Sequence, residues 1–471
     1  MTANHQPIIS QEDYVQRDIA HVIHPFTDLD LHGRVGPLVL QEGKGVYLYD
    51  IDGHKYLDAM AALWCTSLGY SESRLIEVAY AQMKKLPFYH IFNNKSHGPV
   101  VDLAEKLTQI TPSSARNGPM QKVFFANSGS EANDSAVKLV WYYNNAMNRP
   151  KKKKIIARLK AYHGTTIAAG SLTGLPHVHA GFDLPIKNIL HTDCPHYWRY
   201  GKDGESEEEF THRLVKNLRN LIEKEGPDTI AAFIAEPVMG AGGVIVPPKN
   251  YFEEVQKVLR QYDILMIADE VITGFCRTGN LFGCETFNIQ PDMITFAKGM
   301  SSAYQAISAL LITGPMHEAI KEYSHQFHVF GHGFTNTAHP VSSAVALEAI
   351  KIYEERDLVG HVRNLGPYLQ KRLREVSDHP IVGEVRGIGF LGGIELVANK
   401  KTKESFSPND AVGPYLMKKA QDYGLMLRSL DDVIIFCPPL IFTEAHIDET
   451  VDKFKKALQT TYEMVQAKGL I

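Results

Sequence analysis

Two residues of opposite charge carry the first chemical signal in this chain: Asp269, closing the apolar run "DILMIAD", and Lys298, closing "MITFAK". A carboxylate at the end of a buried strand needs a cation, because an uncompensated buried charge is costly. A lysine in the same situation is partly desolvated, which lowers its pKa and frees the amine to attack a carbonyl. The loop Ser128-Gly129-Ser130 follows "KVFFAN". Gly129 lets the backbone approach closely, Ser130 sits where an N-cap hydroxyl belongs, and Glu131 lies in the first helical turn. Free N–H groups and the helix dipole there make a phosphate site; the alternative is a capped helix with no ligand. "KAYHGTT" sets Tyr162 and His163 behind another strand, where a ring can stack on a flat heterocycle or belong to an ordinary core. Glu236 ends "TIAAFIAEP".

The elements that must position these residues follow from hydrophobic patterning. Strands are predicted at 122–127, 154–162, 229–237, 264–271, 293–298 and 306–313, with amphipathic helices at 208–226 and 251–263 between them. Near-continuous apolar strands alternating with helices predict an α/β fold, a mostly parallel sheet covered by helices. In such sheets ligands bind outside the carboxyl ends of the strands, where the polar residues of this chain collect. A rim with a glycine-serine loop, an aromatic ring, an acid and a lysine fits an anionic, flat, aldehyde-bearing, basic heterocycle: pyridoxal 5'-phosphate. Asp269 would hold the proton on its ring nitrogen, making the ring an electron sink. Lys298, one strand–helix–strand unit later, would hold the cofactor as a Schiff base and then move the proton between substrate and cofactor carbons. Strand alternation turns Glu270 to the opposite face, as a structural residue paired with Arg277.

Around this large domain (71–340), the sequence predicts an N-terminal arm and part of a small domain (1–70), and a C-terminal small α+β domain (341–471). The arm carries a short helix within its first 35 residues. A hairpin at 45–58 turns at Asp52-Gly53, a long helix spans 340–356, and a strand runs over 390–397.

With 471 residues, 44% hydrophobic and 22% charged, the chain has the make-up of a multi-domain globular protein. A net charge of -4 gives no footprint for nucleic acid. Five scattered cysteines, an N-terminus without a signal-peptide pattern and the lack of a membrane-length apolar run predict a cytoplasmic, membrane-free protein. "GIGFLG" (387–392) matches a dinucleotide fingerprint, but a strand-like stretch follows where a helix is required. His325, His328, His332 and His339 lack metal-ligand spacing, so no metal is expected. "KKKK" (151–154) reads as a solvated loop.

At "SGSEAN", "YHG", "AEPV", "ADEVITGFCRTG", "FAKG" and "HGFTNTAHP", in this order, the chain resembles the class III, fold-type I PLP-dependent aminotransferases, nearest the ω-transaminases that take amines or diamines to pyruvate. The resemblance implies a large domain and a smaller α+β domain. It makes Lys298 and Asp269 catalytic, and has Ser128, Gly129, Ser130, Tyr162, His163, Glu236 and Val271 bind the cofactor. Phe334 and Thr335 would join the phosphate site from the other subunit of a homodimer, or of a tetramer built from such dimers. Trp64, Phe92 and Tyr162 would line the substrate pocket, and Arg428 would be a mobile arginine for a substrate carboxylate. The activity implied is ping-pong transfer of an amino group from an amine, diamine or ω-amino acid to pyruvate. Ornithine- or GABA-type transamination, decarboxylation-coupled transamination and an aminomutase are alternatives within the family. An NAD-dependent oxidoreductase using "GIGFLG" and a non-catalytic protein of the same fold are alternatives outside it. Ala306 and Ala338 stand where relatives commonly carry proline and glycine.

Overall fold

The computed structural model describes residues 10–471; the start of the predicted arm lies outside the described residues. Its centre is one sheet of seven strands: β1 Met120–Ala126, β2 Lys154–Arg158, β3 Ile189–Thr192, β4 Ile230–Ala235, β5 Leu265–Asp269, β6 Met293–Phe296 and β7 Ser308–Thr313. Their order is β1-β7-β6-β5-β4-β2-β3. β7 pairs antiparallel with both β1 and β6, and the pairs from β6 to β3 are parallel.

Alternate residues of the central strands enter two separate cores, as the two-residue period of a strand requires. Phe233, Met266, Ala268, Ile294 and Phe296 pack on one face. Ile234, Leu265, Ile267 and Met293 pack on the other, together with Ala136, Val137 and Val140 of the helix Gly129–Ala146. Asp269 continues the second series and turns toward that helix, while Glu270 turns away. The helix Glu207–Glu225 starts at a capping box of Ser206 and Glu209 and buries Phe210, Leu214, Leu218 and Ile222 at four-residue spacing.

The hairpin of Tyr47–Asp50 and Lys55–Asp58 forms around Asp52-Gly53. It also pairs in parallel with Leu425–Met426, Leu57 against Leu425 and Asp58 against Met426. A second sheet joins Val382–Ile388, Leu391–Leu396, Val433–Phe436 and Arg428–Leu430, all antiparallel. "GIGFLG" is therefore the turn of a β-hairpin, and no helix follows it.

Several strands stop short of their predicted ends. β2 ends at Arg158, where Lys160 takes a left-handed φ of 65° and turns its N–H to the Gly174 carbonyl. Only the four-residue helix Gly283–Thr286 lies between β5 and β6, so their link is mostly turns rather than a full crossover helix. β3, "ILHT", is a strand that the patterning misses: it is short and half polar. The lysine run is not solvated throughout. Lys152 Nζ donates to Tyr262 O at 3.3 Å, Lys153 Nζ to Trp141 O at 2.8 Å, and Lys154 Nζ to Glu225 at 2.8 Å.

Glu270 is structural, as expected, but not through Arg277. Its buried carboxylate accepts from Thr273 Oγ1 (2.5 Å), Gly283 N (3.0 Å) and Cys284 N (2.6 Å). The Arg277 guanidinium donates to Pro438 O and Ser67 Oγ instead. Glu270→Ala would leave buried N–H groups unpaired and should lower unfolding stability by ~1–3 kcal/mol or more. Denaturant titration checks this, and an unchanged midpoint would contradict the assignment.

Candidate active site

Asp269 is 3% exposed and receives a donor on each oxygen. His163 Nδ1 (2.7 Å) and Asn133 Nδ2 (2.8 Å) bond Oδ2, and the Val271 N–H (3.0 Å) bonds Oδ1. Three donors and the low polarity of the site hold this carboxylate in one orientation. Asn133 is itself fixed, accepting from Thr295 Oγ1 at 3.0 Å and donating to the His163 carbonyl at 2.7 Å. The chemical pass along the sequence missed Asn133. Its signal is a polar side chain at a core position of an otherwise apolar helix face, flanked by Ala132 and Ala136. His163 thus acts behind Asp269, and its buried Nε2 has no partner among the described residues.

Asp269 pairs across the sheet with Thr295, and Lys298 follows three positions later in a short 3₁₀ turn. Lys298 adopts φ 43°, a left-handed conformation that costs ~1–2 kcal/mol for a residue with a side chain. Burial holds its amine below the ordinary lysine value of 10.5, with Cys65, Asp269 and Glu236 opposing the shift. Glu236 is buried and its carboxyl is pushed up by desolvation. It accepts from the backbone N–H of Tyr162 (3.0 Å) and Gly240 (2.9 Å), so it fixes the loop that carries Tyr162.

Ser128, Gly129 and Ser130, expected to hold the phosphate, open one helix. The N-cap of the helix Gly129–Ala146 is Ser128, whose hydroxyl accepts from Glu131 N at 3.2 Å. Ser130, expected in that place, instead accepts from Thr165 N at 3.1 Å with its Oγ. Both Gly129 and Ser130 sit in the first turn, where N–H groups lack helical acceptors. A Cβ on Gly129 would lie 3.1 Å from Val271 Cγ1, and one on Gly164 would lie 2.8 Å from Ser130 Cα. Glycine is required at 164, where φ is also 131°, while a side chain at 129 would press on Val271.

Trp64 is buried, and the hairpin and the second sheet bring it between two cations. Lys298 Nζ lies 5.5 Å and Arg428 Cζ 5.1 Å from its ring centroid. Arg428 opens the edge strand of the second sheet. Burial lowers its pKa, and Tyr162 is the single group that counteracts this. Among the described residues no carboxylate pairs with it. Tyr162 is held up by burial against the pull of Arg428. Phe26, in the arm, meets the Tyr162 ring edge-on at 6.3 Å.

Phe92, Phe334 and Thr335 form a separate group. Phe92 is 43% exposed and lies against Gly333, and Phe334 packs beside His332 and Phe124. No hydrogen bond, ion pair or ring contact among the described residues ties them to Lys298 or Asp269. Within the chain Phe92 meets Gly333 and the His90 ring, 5.9 Å away.

The four clustered histidines do not converge as ligands. The described residues hold two other groups with ligand-like spacing. In one, His24 and His32 both bond Asp18, at 2.8 and 3.0 Å. In the other, Arg386 Nη1 already fills the space between Glu384 and Glu395, at 2.5 and 2.6 Å.

The class III aminotransferase family model matches residues 32–458. A GABA transaminase 3 (chloroplastic) of Solanum lycopersicum is 52% identical over 91% of this chain and 82% of its own. The ω-transaminase of Pseudomonas jessenii, solved with PMP, is 50% identical, with a TM-score of 0.94 over 96% of this chain and 99% of that one. The PMP-bound aminotransferase of Vibrio fluvialis is 40% identical, with a TM-score of 0.92 over 96% and 98%. This chain belongs to the class III aminotransferases, enzymes of fold-type I that use pyridoxal 5'-phosphate.

The residues present suit that cofactor. Asp269 would meet the ring nitrogen, Tyr162 and Val271 the ring's two faces, the 128–130 turn the phosphate, and Lys298 the aldehyde. Since burial favours the neutral amine, capture of added cofactor by the stripped enzyme should rise with pH through a midpoint below 10.5. Stopped-flow absorbance measures it; a midpoint at or above that value would contradict the burial of Lys298.

Proposed function

We propose that this aminotransferase takes the amino group of an amine, diamine or ω-amino acid and passes it to pyruvate, in two half-reactions at one site. The observation that carries this reading is Arg428: a half-buried guanidinium beside Trp64, with no carboxylate partner among the described residues. A cation kept there without a counter-ion suits an anionic ligand, and its planar fork suits a carboxylate held bidentately. Trp64 on the inner side gives an apolar wall for a substrate part that carries no charge.

Bound cofactor supplies a carbonyl to receive the amine and a ring to accept electrons. The protein's residues supply the rest. Asp269 would keep a proton on the ring nitrogen, because its three donors keep it from turning away. Lys298 would hold the cofactor's aldehyde, and its buried amine, once free, would take and return the proton at the substrate carbon. Glu236 holds the backbone of Tyr162 in place, so that its ring can lie against the cofactor. Relatives named GABA transaminases support an ω-amino acid among the donors, with Arg428 meeting its carboxylate.

A homodimer belongs to the same reading. Phe88, Tyr89 and Phe92 are 38–45% exposed and lie beside the 333–339 segment, Phe88 5.5 Å from His339. A second copy would cover this patch, and Phe334 and Thr335 would reach the phosphate site of the neighbouring subunit.

Arg428→Ala should raise the KM for pyruvate roughly 10- to 100-fold, the loss of ~1.5–3 kcal/mol from a charged hydrogen bond. The KM for an amine without a carboxylate should change little. Steady-state kinetics with each substrate varied provides the check; equal effects on both would remove this role for Arg428.

A further inference from the structure

Trp64 reaches the cleft by an unusual path. Between Asp58 and Trp64 the backbone takes left-handed values at Ala61 (φ 45°), Ala62 (φ 53°) and Trp64 itself (φ 60°), none of them glycine. Such a run of strained residues persists only where the surroundings over-determine it. One side chain does most of that here. Asp58, 1% exposed, accepts from Met60 N at 2.9 Å with Oδ1, and from Ala62 N and Tyr70 OH, both at 2.7 Å, with Oδ2. It is fixed from behind by the parallel pairing of Leu57–Asp58 with Leu425–Met426, and the Arg277 charge lies near it. The same two strands therefore set both sides of the pocket, since Arg428 follows Met426 by two positions.

We propose that Asp58 is a positioning residue for the transfer reaction: its carboxylate locks the strained 60–64 turn that stands Trp64 between Lys298 and Arg428, and so sets the wall against which the amine donor is selected. The inference rests on Trp64 being that wall. Asp58 touches no reacting atom. It acts by presenting acceptors to two backbone N–H groups and a phenol, which neither an amide nor an alkyl group can do as a set.

The test uses the cofactor-loaded enzyme and the variants Asp58→Asn, Trp64→Ala and their combination, with Tyr70→Phe as a milder variant that keeps the carboxylate. The readout is the ratio of kcat/KM for 1-phenylethylamine to that for a short aliphatic amine, with pyruvate saturating. Asp58→Asn should bind cofactor fully and shift the ratio roughly tenfold, mostly through KM. In the Trp64→Ala background the same change should add nothing further, because the group it positions is gone. Tyr70→Phe should move the ratio the same way by about twofold to threefold; it alone decides the matter if Asp58→Asn does not fold. An unchanged ratio in Asp58→Asn or Tyr70→Phe, or equal shifts with and without Trp64, would overturn the proposal. An unaltered ratio in Trp64→Ala alone would overturn the pocket wall itself, and with it the role of Asp58. That outcome is distinct from a failure confined to Asp58.

Discussion

The site depends on a carboxylate buried at a strand end and kept from rotating. Asp269 would be costly where it stands if it were alone, since a buried anion needs compensation. His163, Asn133 and the Val271 N–H provide part of it, and all three donate from the protein side. What remains is a charge that a protonated heterocycle would complete. The supporting shell is polar and tightly bonded inside central strands that are otherwise mostly apolar.

Sheet topology converts that interaction into a catalytic site. Because β4, β5 and β6 are adjacent and parallel, Glu236, Asp269 and Lys298 emerge on one rim without long loops. The alternation that buries Ile267 against the helix Gly129–Ala146 also directs Asp269 toward Asn133 of that helix. Its first turn then lies near Val271, two residues beyond Asp269, where a Cβ on Gly129 would meet the Val271 side chain. Substrate groups come from elsewhere, since Trp64 and Arg428 are carried by the hairpin and the second sheet, which meet at Asp58 and Met426.

Much of this was legible in the sequence. Lys298, Asp269 and Glu236 announce themselves because a charged residue closing an apolar run is chemically expensive and local in sequence. The hairpin at 45–58 and the helix expected at 208–226 follow from turn chemistry and amphipathic patterning. Asn133 and Asp58 were not legible as functional residues, because their partners lie far along the chain or in backbone groups that no pattern displays. The lysine run was misread for the same reason: the carbonyls of Tyr262 and Trp141 that anchor it are brought there only by folding. The packing of Phe92 against Gly333 likewise depends on folding and not on a local motif.

If Asp269 meets the cofactor as proposed, the ring nitrogen stays protonated in the loaded enzyme. The ¹⁵N chemical shift of that nitrogen, in enzyme loaded with labelled cofactor at neutral pH, reads this out. It should take the protonated value in the native protein and lose it in Asp269→Asn. A neutral, unprotonated nitrogen in the native protein would contradict that contact.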